Sequence, residues 1–256
     1  MTLVAYTREV SPTLADCELT YLDREPLDVG RAAQEHAAYE ALLSRLGAIV
    51  RRLPSEPTLP DAVFVEDTAV VLDEIAVITR PGAASRRTET ASTAVALAAH
   101  RTLAHIQHPG TLDGGDVLVA GRRVFVGLSS RTNPDAIDQL AKMLRPFDYE
   151  VIAVGFSGCL HLKSCATQVA ERLVLLNPAR VDPKVFAGYR VVAVDPAEPH
   201  AANALALGGS VIHPQHFART RSRLETEGLH VAPVAMTELA KAEAGVTCCS
   251  LLVRQA

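Results

Sequence analysis

The sequence lacks a basic excess: 25 lysines and arginines face 29 aspartates and glutamates, a formal charge of −4. No basic stripe offsets that balance, which argues against nucleic acid as a partner. No apolar run reaches the ~18 residues a membrane-spanning helix needs. The N-terminal stretch has no basic segment leading into an apolar one, so no secretory signal is expected. The five cysteines, without an export signal, are expected as reduced thiols in a cytoplasmic protein. No paired CxxC spacing calls for a structural metal. P-loop, GxGxxG and GxSxG patterns are also missing, which removes three common nucleotide-binding and hydrolase signatures. What remains is a 256-residue chain, 48% hydrophobic and 21% charged, with material for a sizeable core.

That material is ordered with a period. Helical stretches are expected at Arg31–Leu46, Thr88–His100, Pro134–Leu144 and Phe217–Glu227, with a shorter one at Asp182–Ala187. Asn133 before Pro134 suits an N-cap followed by a first-turn proline, and Gly228 suits a helix stop. After each comes a β-branched run: Ala48–Leu53, Thr102–Gln107, Glu150–Val154, Arg190–Val194 and His230–Val234. A short loop and a further strand follow, and a polar residue stands at that strand's start. These residues are Glu66, Asp113, His161, Asn203 and Cys248, separated by steps of 47, 48, 42 and 45 residues. A near-constant period in the forties marks a repeat whose units cannot bury their apolar faces alone.

Five ββαβ units closed in a ring would aim all five polar residues at one channel. Leu3–Tyr6 would complete the last unit and hide a sheet edge. The expected fold is therefore α/β, five repeat units closed in a ring, with residues 1–256 as a single domain. An ordinary doubly wound α/β sheet is the alternative. Cys17–Arg24 lies outside the repeat and is placed as a lid would be.

The in-phase residues have the types a covalent hydrolase needs. Of the vicinal pair Cys248 and Cys249, strand alternation lets only one face the channel, and the phase selects Cys248. A nucleophilic cysteine needs an acid/base partner and a group that orients it; His161 and Asp113 hold those phases. Glu66 and Asp67, framed by Val-Phe-Val and Thr-Ala-Val-Val with Asp61 nearby, are costly unless they meet a cation. Arg86, Arg87 and Arg131 follow strands on consecutive units and could grip a carboxylate. His105 and His108 read as structural. Together the set suits a zwitterion whose far end is a guanidinium.

The motifs LPDAVFVEDTAVV, ITRPGAASRR, TLDGGDVLVAG, VFVGLSSRTN, LHLKS and TCCS, in this order, resemble the dimethylarginine dimethylaminohydrolases of the guanidino-group-modifying (pentein) superfamily. The resemblance implies a five-bladed αβ-propeller. It also implies hydrolysis of Nω-methylated arginines to citrulline and an alkylamine through an S-alkylthiouronium on Cys248. By the same resemblance, His161 would protonate the departing amine and Asp113 would orient His161. Asp67 and Glu66 would hold the guanidinium, and Arg86 and Arg131 the α-carboxylate. Asp61 and the backbone of Leu19 would hold the α-amino end, and a carbonyl near Ala242 would touch the guanidinium.

No metal or cofactor is implied. The expected partner is the small-molecule substrate, with neither nucleic acid nor membrane; a homodimer is compatible with the sequence. An arginine deiminase, or a non-catalytic binding module of the same superfamily, stands as the alternative.

Overall fold

The computed structural model describes residues 2–255 and contains five three-stranded sheets. Each has one strand antiparallel to a central strand, which is parallel to a third. In the first sheet Ala69–Val71 runs against Ile75–Ile78, and Thr102–His105 lies parallel beyond it. The same order recurs with Val117–Ala120, Arg123–Leu128 and Glu150–Gly155, and with Ala166–Ala170, Leu173–Leu176 and Arg190–Ala193. The fourth sheet uses Leu205–Leu207, Ser210–Pro214 and His230–Val234. The fifth joins distant parts of the chain: Leu251–Gln255 pairs with Thr2–Thr7, which runs parallel to Ala48–Arg52.

Helices cross between the central and outer strands, so both faces of each sheet are covered. The central strands accordingly read as nearly unbroken apolar runs rather than alternating ones. Val29–Arg45, Thr90–Ala98, Pro134–Leu144 and Ala218–Thr226 make four of these crossings; a single 3₁₀ turn, Pro183–Phe186, makes the fifth. Two of the helices begin on side-chain caps. Asp28 accepts from the Arg31 amide and Asn133 from the Ala136 amide, with Pro134 in the first turn. Gly228, at φ +83°, follows the Ala218–Thr226 helix.

The first strands of all five sheets surround a central chamber of about 730 Å³. Strand Thr2–Thr7 does close the last unit, as the period implies. Among the described residues, no helix is long and apolar enough to cross a membrane.

Two expectations need correction. The stretch Thr88–His100 is not one helix: Ala84–Glu89 forms 3₁₀ turns before Thr90–Ala98. Arg86 sits in that 3₁₀ segment, where its guanidinium is pulled toward Asp67 and Glu89. The in-phase polar residues also do not start strands. They sit in or beside tight turns just ahead of the strands, as in Val65–Thr68, Gly114–Asp116 and Leu162–Ser164. Buried polar side chains need partners, and the turns supply free backbone N–H groups that a sheet ladder would consume.

Candidate active site

The turns that precede the strands converge at one end of the ring. His161 is buried, with Nε2 3.1 Å from Asp113 Oδ2 and Nδ1 3.8 Å from Asp67 Oδ1. Asp113 is held in turn by the Gly82 amide on Oδ1. Asp67 accepts the Gly115 N–H at 2.9 Å and Arg86 Nη1 at 2.6 Å. The packing leaves no room for a side chain at Gly115. A Cβ there would lie 2.5 Å from His161 Nδ1 and 2.8 Å from Asp67 Oδ1. The Gly-Gly pair of the TLDGGD motif is thus needed for close approach, beyond any turn preference.

Asp116, absent from the expected site, is fully buried and holds the histidine loop. Its Oδ1 accepts the Leu162 N–H, and its Oδ2 accepts the hydroxyls of Ser129 and Thr132. Glu89 was also missed. It takes two hydrogen bonds from Arg86, and its position three residues along a helical turn from that arginine was the available signal.

The charges around His161 decide its protonation. Burial works against its cation, but Asp67, Asp113 and Asp116 outweigh that and push it up to about 9. At neutral pH the imidazole is therefore an acid. Burial acts the opposite way on Asp67, yet His161 and Arg86 bring it down to about 2. Cys248 is pushed up to about 12 by burial and then by Glu66 and Asp67, against the Gly245 N–H and Lys163. The resting sulfur is a thiol that needs a cation beside it to ionise.

Asp61, Asp67, Arg86, Arg131, His161, Ala242 and Cys248 share one small cavity of about 20 Å³. Asp113 stands directly behind His161. Cys249 is fully buried in an apolar cluster with Tyr39 and Met236, on the other side of the turn. Neither cysteine lies on a strand; Leu251 begins it.

The carboxylate of Glu66 is not brought to this cavity. It faces the central chamber, bonded to Lys163 Nζ at 2.5 Å and Thr247 Oγ1 at 2.7 Å. A buried acid in phase with the repeat signals a cation partner. Here that partner is Lys163, and the ion pair is a partition between chamber and site. Leu19 does not border the cavity directly, although its neighbour Glu18 does, donating its amide to Asp61.

Arg86 is nearly saturated by the protein, through Asp67, Glu89 and the carbonyls of Asp61 and Phe64. Those bonds leave one Nη1 hydrogen without an acceptor among the described residues. Arg131 meets Thr20 Oγ1 at 3.2 Å and otherwise borders the cavity. Arg87 bonds the Pro81 carbonyl, and His105 and His108 lie away from the cavity lining.

One atom each from Asp67, Asp113 and His161 could converge on a metal ion, all within 4.8 Å. An ion there would have to displace the His161 proton and sit beside the Arg86 cation. The donor set fits an organic cation better.

A cavity of this volume holds about one water, and the site is only partly covered, with Cys248 half-buried. Its cover is the segment after Cys17. Glu243, at φ +59°, reaches over the mouth, and its Oε1 accepts the amides of Thr20, Tyr21 and Leu22. Three N–H groups on one carboxylate oxygen make a strong clasp. Glu243→Ala is expected to loosen it and speed tryptic cleavage after exposed Arg24 on the order of tenfold. Timed digestion followed by mass spectrometry reads this; an unchanged rate would mean the segment is held elsewhere.

The model of the family described as N,N dimethylarginine dimethylhydrolase, eukaryotic, matches residues 24–184. An N(G),N(G)-dimethylarginine dimethylaminohydrolase of Streptomyces coelicolor is 36% identical over 254 residues, spanning 98% of this chain and 97% of its own. The protein of that name from Pseudomonas aeruginosa is 31% identical over 226 residues, or 88% and 89% of the two chains. A solved structure of the Pseudomonas aeruginosa protein, a cysteine-to-serine mutant complexed with citrulline, superposes with a TM-score of 0.93 at 28% identity. It covers 99% of this chain and 100% of that one.

Proposed function

The chain belongs to the dimethylarginine dimethylaminohydrolase family and is a hydrolase, and from that premise we propose that it hydrolyses Nω-methylated arginines with Cys248 as nucleophile. The observation that carries the reading is the shared cavity of Cys248, His161, Asp67, Asp61 and Arg131.

The substrate's guanidinium lies against the Asp67 carboxylate, with its central carbon over the Cys248 sulfur. Its charge offsets the acidic groups that hold the thiol protonated, so binding itself favours the thiolate, and the thiol proton is released to water as the substrate binds. Sulfur attacks carbon. Protonated His161 gives its proton to the departing dimethylamine or methylamine, the C–N bond breaks, and an S-alkylthiouronium remains. Now neutral, His161 takes a proton from water, the oxygen adds to the same carbon, and the C–S bond breaks to leave citrulline. Asp113 keeps the ring oriented through both proton transfers.

At the other end, Asp61 and the Leu19 carbonyl take the α-ammonium. Arg131 and the remaining Arg86 N–H take the carboxylate. Ala242 presents a carbonyl to the guanidinium. Glu66 supports the site from behind.

Incubation of the purified protein with asymmetric dimethylarginine should release citrulline and dimethylamine in equal amounts. If no methylated arginine yields citrulline, the reading fails. Ammonia released from unmethylated arginine at a higher kcat/KM would reassign the enzyme as a deiminase.

A further inference from the structure

Four of the five in-phase polar residues have a place in or against the site. The fifth, Asn203, has none in the scheme above, yet it is buried and fully bonded. It lies just ahead of the strand Leu205–Leu207. Its Nδ2 donates to the Lys163 carbonyl and to Thr247 Oγ1, each at 3.0 Å. Its Oδ1 accepts the Thr247 N–H, also at 3.0 Å. The carboxamide therefore spans two loops: the one that carries His161 two residues before Lys163, and the one that carries Cys248 one residue after Thr247.

A second contact involves Gly245. A Cβ on that residue would fall 2.3 Å from Asn203 Cγ and 2.4 Å from its Oδ1. The glycine therefore packs directly against the amide, and in that position its N–H points at Cys248 Sγ, 3.3 Å away. The backbone of Cys248 is pinned on its other side, where the Glu66 amide donates to the Cys248 carbonyl at 3.1 Å. Thr247 links these supports, since its hydroxyl takes the Asn203 donor and passes its own proton to Glu66 Oε2.

We infer that Asn203 is a positioning residue for Cys248: it fixes the Gly245–Cys248 turn so that the Gly245 N–H is aimed at the reacting sulfur. The inference rests on the proposed role of Cys248. A backbone donor on a thiolate is a charge-assisted hydrogen bond, stronger than one between neutral groups. Its target already faces Glu66 and Asp67 with Lys163 opposed, so the loss of one donor weighs heavily. An asparagine suits this place because it offers two donors and one acceptor in a plane, where an aspartate would confront the Lys163 carbonyl with an oxygen.

The test is the rate of Cys248 alkylation by iodoacetamide across pH 6–10, read by mass spectrometry beside kcat, KM and thermal stability. Asn203→Ala should slow both alkylation and kcat about tenfold to a hundredfold, the size of one hydrogen bond to a charged group, with KM within about threefold. Gly245→Ala drives a methyl into the same contact and should act in the same direction. The double variant should be no worse than the poorer single one, since both break one contact. Wild-type alkylation in either folded single variant would overturn the inference. Gly245→Ala guards against an Asn203→Ala chain that does not fold. Cys248→Ser with full activity would instead defeat the proposed function and leave the alkylation result standing on its own.

Discussion

Cys248→Ser is expected to lower turnover of dimethylarginine on the order of 10³-fold or more, the scale at which removal of a nucleophile is felt. The hydroxyl's pKa lies far above that of a thiol, and Glu66 and Asp67 would raise it further, as they raise the Cys248 thiol. A guanidinium beside the sulfur can bring a thiol into range but not an alcohol. Binding should survive, because Asp61, Asp67 and Arg131 are untouched. KM or inhibitor affinity should therefore move little.

Cys249→Ser makes the necessary comparison. That sulfur is fully buried beside Tyr39 and Met236, so a hydroxyl there costs stability, about 1–3 kcal/mol. Activity should largely remain below the lowered melting temperature. Equal loss of kcat in both variants would mean that the wrong sulfur has been chosen or that the two act as a pair.

Asp67→Asn carries the second large effect, and it reaches both stability and chemistry. The carboxylate is the buried partner of Arg86 and the nearest counter-charge to the outer nitrogen of His161. Its removal leaves Arg86 with Glu89 as its remaining ion-pair partner and with the Asp61 charge farther off. Breaking a buried pair by removing one partner costs about 3–5 kcal/mol, and Glu89 should hold the loss near the lower end.

The pH dependence has a definite sign. Asp67 titrates near 2 in the folded protein, below its unfolded value. The stability it contributes is present above about pH 4 and lost as pH falls toward 2. His161 titrates near 9, above its unfolded value. Its contribution is full below about pH 6.5 and lost as pH rises toward 9. Melting temperature against pH should slope on both sides in the wild type, and both slopes should flatten in Asp67→Asn. The alkaline limb of kcat should move to lower pH as His161 loses its counter-charge. An unaltered stability profile would place the balancing charge on Asp113 or Asp116 instead. Turnover should fall about a hundredfold or more, since the guanidinium loses its principal anchor.

The period of the chain announced the architecture before any single element did. Steps of 42 to 48 residues between Glu66, Asp113, His161, Asn203 and Cys248 reflect a physical necessity, because each small sheet is stable only against its neighbours. Asn133 and Gly228 marked helix ends through local chemistry, and both held.

What the letters hid was three-dimensional pairing. Glu66 and Asp67 are adjacent and look equivalent, yet one faces Lys163 in the chamber and the other faces the cavity. A tight turn, unlike a strand, does not alternate its side chains by rule. Arg86 was expected to grip a substrate carboxylate, and only the fold shows it among the protein's own acids Asp67, Glu89 and Asp61. Glu243 carried no signal, since a glutamate near a loop is ordinary until the amides of Thr20–Leu22 meet it.

The fifth sheet has a consequence for how the molecule comes to exist. The first four units are built from neighbouring segments, each turning from inner to central strand through two or three residues. In the fifth, Thr2 lies opposite Gln255 and Tyr6 opposite Leu251, so the unit is opened at the same hairpin turn that the others keep. As the chain leaves the ribosome, Thr2–Thr7 can find Ala48–Arg52 early but waits some 200 residues for its second neighbour. The sulfur and the partner strand then arrive together. Closing so long a loop is slow, and a chain that stops short of Cys248 lacks both the closed ring and the proposed nucleophile.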